Sequence, residues 1–123
     1  MRDFRKIQVW EKAHHLTLDI YRATAQFPRE ERYGLTSQIR RCSSSIPANI
    51  AEGFGLNGDP DLARFLQISM GSACELEYYI LLAKELHLLP DPTYDCLAER
   101  VIEVKCMLTG LLLSVRATKR FKN

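Results

Sequence analysis

Glu11 and His14 are the residues whose types and spacing come closest to a catalytic motif. They match the Glu-x-x-His spacing that di-iron helical bundles use to hold metal. Such a site needs this motif twice, together with two further inward carboxylates, and the chain has the motif once. Glu11 also lies off the apolar face formed by Ala13, Leu16 and Ile20. We therefore predict that Glu11 and His14 are surface residues and expect no metal site.

Other catalytic arrangements find little support. No Ser or Cys nucleophile at a strained turn accompanies His14, His15 or His87, and the glycines around Gly53 lack the lysine of a P-loop. Four cysteines stand singly, without a CxxC pair or a histidine at metal-ligand spacing, and are predicted to be reduced, packed thiols: Cys42, Cys74, Cys96 and Cys106. We expect no enzyme activity and no cofactor.

Charge is distributed unevenly along the chain. Residues 1–41 carry nine Lys and Arg against five Asp and Glu, residues 42–111 carry four against ten, and residues 112–123 carry four against none. Both ends are therefore basic and the middle is acidic. The basic residues near the termini are Arg2, Arg5, Lys6, Arg116, Lys119, Arg120 and Lys122. They can contact nucleic acid phosphates, or those at the C-terminus can simply complement a helix dipole.

Hydrophobic spacing predicts four helices in a single domain covering residues 1–123. The first begins near Gln8 and stops before Pro28, the second begins with Thr36 as its N-cap, and Asp59-Pro60 and Asp91-Pro92 begin the third and fourth. Apolar steps of three and four run through helix three as far as His87 and through helix four to Val115. This spacing favours an all-α, antiparallel up-and-down four-helix bundle, with both termini at one end.

The second helix contains Pro47, which should destabilise a helix interior by about 3 kcal/mol. Pro47 frees the carbonyl of Ser43, and the hydroxyls of Ser43, Ser44 and Ser45 can bond to nearby backbone. We predict a kinked helix that continues past the proline.

Pairing of helices two and three about a loop near Asn57 brings Arg40 and Arg41 within a turn of Glu75 and Glu77. The two arginines then neutralise those carboxylates along a helix seam, or alternatively bind nucleic acid. Asn49 and Glu52 are predicted to form a hydrogen-bonded network at the end of the bundle. The same arithmetic for helices one and two places Trp10 beside Gly53.

A second apolar stripe exceeds what a narrow helix seam requires. It is either a wider buried face within the monomer or a subunit interface. Its members are Phe65, Ile68, Tyr79, Leu82, Leu112 and Leu113.

No apolar run approaches the roughly 20 residues that span a bilayer, and the charged start "MRDFRKIQVW" is not followed by a signal-peptide core. We expect a soluble, cytoplasmic protein that does not contact membranes.

Three segments carry a family resemblance: "VWEKAHHLTLDIYRAT", "YGLTSQIRRCSSSIPANIAEGFG" and "FLQISMGSACELEYYILLAKELHLL". They resemble the four-helix-bundle proteins encoded in intervening sequences of bacterial 23S ribosomal RNA genes. The resemblance implies an up-and-down bundle, a homopentamer and no recognised catalytic activity. It also implies association with RNA or DNA, as in the similar pentameric accessory proteins of diversity-generating retroelements, which bind nucleic acid and a reverse transcriptase. Two departures are Cys42, where alanine is typical, and Leu56, at a position that is often basic.

The sequence therefore leaves two functional interpretations. The first is a non-enzymatic oligomeric module that contacts RNA or DNA through its basic termini, by charge or shape, since stacking platforms and known RNA-binding motifs are missing. The second is a scaffold that binds another protein without contacting nucleic acid.

Overall fold

The computed structural model describes residues 3–56 and 59–122, without the side chains of residues 59 and 119–122. Within these ranges the protein contains helices and no strands. The four long helices are α1 (Gln8–Thr24), α2 (Leu35–Gly55), α3 (Asp59–Glu85) and α4 (Asp91–Lys122), and two 3-10 turns lie at Phe4–Lys6 and Arg29–Glu31. None of the helices in the described part combines the length and apolar composition needed to cross a bilayer.

The helices form a closed ring in which α1 packs on α2, α2 on α3, α3 on α4 and α4 on α1. The contacts between neighbours run in opposite directions along the chain. Ser45 meets Ser72 and Gly53 meets Phe65 between α2 and α3, while Glu77 meets Lys105 and Lys84 meets Tyr94 between α3 and α4. The α2–α3 register agrees with the one expected from sequence to within about one turn.

The core follows the predicted apolar spacing on all four helices. Fully buried positions include Leu16, Ile46, Leu76 and Leu108, one from each helix. Along each helix the buried side chains recur at three- and four-residue steps. Each helix therefore buries one stripe against its two neighbours.

Two predicted helix ends were wrong. Gly34, and not Thr36, occupies the N-cap of α2, and Thr36 lies inside the first turn. Helix α3 ends at Glu85, so His87 is not part of its apolar stripe. His87 has φ 62°, and the N–H groups of His87 and Leu88 bond to the carbonyls of Lys84 and Ala83 at 2.9 Å. This is a Schellman motif, which turns the chain toward α4.

Helix α2 continues through Pro47, as predicted. The predicted bonds of serine hydroxyls to nearby backbone are confirmed for Ser43 and Ser44, which donate to the carbonyls of Arg40 and Arg41. The expectation that the freed Ser43 carbonyl is satisfied locally was wrong, because its donor comes from α1: Thr17 Oγ1 lies 2.9 Å from that oxygen. A bend in α2 at Pro47 stays a prediction.

Candidate nucleic-acid interface

The first basic residues that the structure describes, Arg5 and Lys6, lie in the short turn at Phe4–Lys6. Asp3 caps this turn by accepting from the Arg5 N–H at 3.0 Å, and its carboxylate lies 3.5 Å from the Arg5 guanidinium. The Arg5 guanidinium also lies over the Phe4 ring, at 4.8 Å. Lys6 is exposed and has no ion-pair partner among the described residues.

Aromatic contacts fix the turn against α1. The Phe4 ring meets Trp10 edge-on at 4.9 Å, and Trp10 stacks on His14 at 4.9 Å with an interplanar angle of 8°. The Cα–H of Gly53 that a side chain would replace faces α3, where a Cβ would lie 3.0 Å from Cβ of Phe65. A contact between Trp10 and Gly53 stays a prediction.

Helix α4 brings its basic end to the same end of the bundle. Contacts of Lys12 with Glu103 and of Asp19 with Arg100 show that α1 and α4 run in opposite directions, so the start of α1 lies toward the last turns of α4. Arg116 is exposed there. Arg2 lies outside the described residues, as do the side chains of Lys119, Arg120 and Lys122.

Sequence reasoning missed Arg64. The α3–α4 register set by Glu77 with Lys105 and by Lys84 with Tyr94 places Arg64 level with the last turns of α4. Its guanidinium lies over the Phe65 ring at 4.5 Å. Aligning α3 and α4 as antiparallel helices from the sequence would have placed Arg64 at this end of the bundle. We call Arg5, Lys6, Arg64 and Arg116 the terminal basic surface.

Arg40 was predicted to face α3, and this was wrong. Its Nε donates to Thr24 Oγ1 at 2.9 Å, its Nη2 donates to the Tyr21 carbonyl at 3.2 Å, and its guanidinium lies 4.6 Å from the centre of the Tyr21 ring. Successive helical residues point about 100° apart, so Arg40 faces α1 while Arg41 turns away from it. Arg41 donates to Gln38 at 2.9 Å and lines a shallow pocket with Glu75.

The predicted carboxylate partners also differ. Glu77 accepts a hydrogen bond from Lys105 of α4 at 2.8 Å and not from an arginine of α2. This hydrogen bond raises the pKa of Lys105. Glu52 is exposed. Asn49 donates to the carbonyl and hydroxyl of Ser45 at 2.8 and 3.0 Å.

The Asn49 contacts belong to a polar seam in the middle of the α2–α3 interface. The Ser45 and Ser72 hydroxyls lie 2.8 Å apart, and buried Ser69 donates to the Ile46 carbonyl at 2.9 Å. The predicted network of Asn49 with Glu52 at the bundle end was therefore wrong: the carbonyl and hydroxyl of Ser45 are the partners of Asn49.

The second apolar stripe divides between core and surface. Phe65 and Leu112 are buried within the monomer, Tyr79 and Leu82 are half-buried, and Ile68 and Leu113 are 41% and 62% exposed. Phe65 and Leu112 therefore fit the interpretation of a wider buried face within the monomer. Ile68 and Leu113 remain accessible to a partner.

Of an exposed stripe on α4, the sequence reasoning identified Leu113 and missed the other members. Ile102, Cys106, Thr109 and Leu113 recur at steps of four, three and four and so share one face. Ile102 is 51% exposed. The spacing of these four residues could have indicated the stripe. However, the buried stripe of α4 has the same period, and the sequence reasoning followed that one.

Glu11 and His14 have separate neighbours in the structure. His14 is stacked on Trp10, and the ion-pair neighbour of Glu11 is His15, at 3.9 Å. Over residues 3–56 and 59–122 the structure shows no group of three His, Cys, Asp or Glu side chains that could hold a metal.

Two other groups have pKa values shifted by their surroundings. Asp19 accepts from Arg100 and from Arg22, each at 2.6 Å, and these bonds lower its pKa. Burial, with the nearby Glu75 charge, raises the pKa of the Cys42 thiol to about 12. The prediction of packed thiols is therefore confirmed for Cys42 and was wrong for the other three cysteines, which are exposed.

These features define a class: a small four-helix bundle with a basic terminal end and exposed apolar side chains on α3 and α4. Within that class, the chain belongs to the 23S rRNA-intervening sequence protein family, whose model matches residues 5–110. This confirms the resemblance seen in the sequence. The biochemical function of that family is not established.

A solved structure shares the fold. It is a crystal structure of a protein of unknown function from the S23 ribosomal protein family of Bacteroides thetaiotaomicron, with a TM-score of 0.78 and 22% sequence identity. The similarity covers 85% of this chain and 94% of that chain. A comparison with curated proteins finds no match.

Proposed function

We propose that this protein is a non-enzymatic, homo-oligomeric module that contacts RNA or DNA through its terminal basic surface. The observation that carries the proposal is the set of cations at one end of the bundle. Lys6, Arg64 and Arg116 are exposed there, and none of them has an ion-pair partner within the described residues.

Free cations at one end favour phosphate contacts over a purely structural role. Elsewhere in the described residues, charged side chains on different helices form pairs, as Asp19 does with Arg100 and Glu77 with Lys105. Cations without partners attract a polyanion and release its counterions, which gives affinity that depends steeply on salt and little on sequence.

Oligomer formation is supported by the exposed apolar side chains of α3 and α4. Ile68, Tyr78, Ile102 and Leu113 are each more than 40% exposed. Exposed apolar side chains grouped on two neighbouring helices favour association between copies. The family resemblance implies five copies, and a ring of subunits would repeat the basic surface and multiply its phosphate contacts.

The second candidate function is a protein-binding scaffold. The same apolar face favours it, because a face of this kind can bind a different protein as well as a second copy. The two functions differ in whether the terminal cations are needed for binding: the nucleic-acid function requires them and the scaffold does not.

The test is a fluorescence titration of generic RNA and DNA at 50 and 200 mM salt. The variant carries Arg116→Gln, Lys119→Gln and Arg120→Gln, and the matched control carries Lys12→Gln, Arg22→Gln and Lys84→Gln. Both variants lose three positive charges, but the control residues lie outside the terminal basic surface. Light scattering checks that assembly is unchanged.

We expect the terminal variant to lose most of its affinity and its salt dependence to flatten, since each lost duplex phosphate contact lowers the slope by about 0.9. The control should bind as the wild type does. Equal binding by all three proteins would reject the nucleic-acid function and favour the scaffold.

A further inference from the structure

A second cationic feature lies at the opposite end of the bundle from the terminal basic surface. The end of α1, the turn at Arg29–Glu31 and the start of α2 enclose an open pocket of about 240 Å³. The pocket is open to solvent, so a small hydrated anion can enter it.

The pocket is lined by three arginines, Arg29, Arg32 and Arg40, and by no carboxylate. None of the three has an ion-pair partner among the residues the structure describes. The nearest acidic residues in the chain are Glu30 and Glu31, on the turn itself. The Glu31 carboxylate accepts from the Leu35 N–H at 3.2 Å, so it is held against the start of α2.

Arg40 is fixed in place before any ligand arrives. Its Nε and Nη2 are held by Thr24 and by the Tyr21 carbonyl, and its guanidinium rests on the Tyr21 ring. The Thr24 hydroxyl donates in turn to the Ile20 carbonyl at 2.8 Å. A guanidinium has five N–H donors, so several remain for an anion that binds in the pocket.

Thr36 supplies an independent sign of a missing partner. It lines the pocket and is 8% exposed, yet its Oγ1 is a buried oxygen without a hydrogen-bond partner, the one such side-chain atom within the described part of the chain. Buried hydroxyls are nearly always bonded, because leaving one unsatisfied costs about 1–3 kcal/mol.

We propose that this pocket binds a phosphate group. Arg40 provides a preformed donor, Arg29 and Arg32 close on the anion from the exposed side, and the Thr36 hydroxyl donates its unused hydrogen bond. Guanidinium groups suit this ligand because their paired N–H donors match phosphate oxygens. The site is separate from the terminal basic surface and does not depend on the function proposed for it.

Inorganic phosphate is the probe, measured by calorimetric titration against chloride at constant ionic strength and pH 7.5. Wild-type protein should bind it saturably. Arg29→Gln and Arg32→Gln should each weaken binding roughly tenfold, the effect of losing a hydrogen bond to a charged group. Arg116→Gln removes the same charge at the other end and should bind phosphate as the wild type does.

The Thr36 hydroxyl is tested by an isosteric pair. Thr36→Val removes the hydroxyl and should weaken phosphate binding roughly tenfold, whereas Thr36→Ser keeps it and should bind within about twofold of the wild type. Circular dichroism confirms folding of each variant. The proposal is overturned if phosphate shows no saturable binding, if Arg116→Gln weakens binding as much as Arg32→Gln, or if Thr36→Val binds phosphate like the wild type.

Two sources of the phosphate group are separated with short RNA carrying either a 5′-phosphate or a 5′-hydroxyl. If the site receives a nucleic acid end, the phosphorylated RNA binds more tightly and Arg32→Gln abolishes the difference. If the site receives a free phosphate compound, inorganic phosphate binds and the two RNAs bind equally. The triple variant Arg116→Gln, Lys119→Gln, Arg120→Gln should retain phosphate binding even where it loses RNA, so the two proposals can fail separately.

Discussion

Thr17 Oγ1 lies 2.9 Å from the carbonyl oxygen of Ser43, the acceptor that Pro47 leaves without its usual helical donor. The same hydroxyl lies 2.9 Å from the Ala13 carbonyl on its own helix. Because a hydroxyl has one hydrogen, the two carbonyls share one donor. Helix α1 therefore helps to satisfy a hydrogen-bond deficit that the sequence of α2 creates.

Thr17→Val removes the shared donor while keeping the shape of the side chain. We expect the free energy of unfolding to fall by about 1–2 kcal/mol, because the buried Ser43 carbonyl loses its partner. Urea denaturation followed by circular dichroism measures the change.

Pro47→Ala provides the background that isolates this interaction. An alanine N–H at position 47 can reach the Ser43 carbonyl, so Thr17→Val should be less destabilising in Pro47→Ala protein than in the wild type. Equal costs in both backgrounds would mean that Thr17 acts through packing alone.

The Pro47 region shows which part of a hydrogen-bond pattern a sequence can predict. The deficit at Ser43 follows from proline chemistry four residues away, so it is readable locally. The donor is separated from it by 26 residues, and its identity depends on the rotation of α1 about its axis. Local serines were the expected donors, but Ser43 and Ser44 bond to carbonyls one turn back within α2, and Ser45 bonds to Ser72 of α3.

Gly53 allows α2 and α3 to approach closely. A Cβ at this position would lie 3.0 Å from Phe65 Cβ and 3.1 Å from Leu62 Cδ1. We expect Gly53→Ala to destabilise the protein by about 1–3 kcal/mol in thermal or urea unfolding, because the overpacking exceeds the gain in helix propensity.

The matched control is Gly71→Ala on α3, where a Cβ would meet nothing within 4 Å. This substitution should stabilise the monomer fold by up to about 1 kcal/mol, as expected for alanine in an open helical position. A stabilising effect at Gly53 as well would show that α2 and α3 can move apart without cost.

His87 holds the left-handed position of the Schellman motif at the end of α3. A residue with a Cβ is strained there, while glycine is not. His87→Gly should raise the free energy of unfolding by about 0.5–1 kcal/mol, and His87→Val should lower it because a β-branched side chain fits this conformation poorly. If His87→Gly destabilises the protein, the contacts of the histidine ring stabilise the fold by more than the backbone strain at this position destabilises it.

The two cationic ends differ in how far the sequence predicted them. Lys6 and Arg116 were foreseeable, because termini of an up-and-down bundle meet at one end and charge counts mark both termini. The pocket of Arg29, Arg32 and Arg40 was not, since Arg40 was assigned to α3 and the other two lie on a turn whose path no spacing rule fixes. The unpartnered Thr36 hydroxyl is a property of packing and leaves no trace in the sequence.

The four cysteines should separate into two classes by reactivity. Cys42 is buried and its pKa is raised to about 12, whereas the three on α3 and α4 are exposed: Cys74, Cys96 and Cys106. Because the thiolate is the reactive form and burial restricts access, a disulfide reagent at pH 8 should modify Cys42 much more slowly than the exposed thiols. Cys42→Ala should abolish the slow phase alone, and a rapid phase lost in that variant would contradict the burial of Cys42.

Asp19 joins α1 to α4 through Arg100, and that hydrogen bond lowers its pKa below 3.8 in the folded protein. A lowered folded pKa means that the contribution to stability is present above the unfolded pKa and is lost as pH falls through the folded pKa. At pH 7, Asp19→Asn should therefore reduce the free energy of unfolding by up to about 1 kcal/mol, a modest value because the carboxylate is 39% exposed. Urea titrations between pH 7 and pH 2 should show the wild type and Asp19→Asn converging at the acid end.

Glu30→Gln, which removes a carboxylate with no ion pair within the described residues, is the control and should follow the wild-type profile. A constant gap between wild type and Asp19→Asn at every pH would show that the substitution acts through packing and not through the ionised carboxylate.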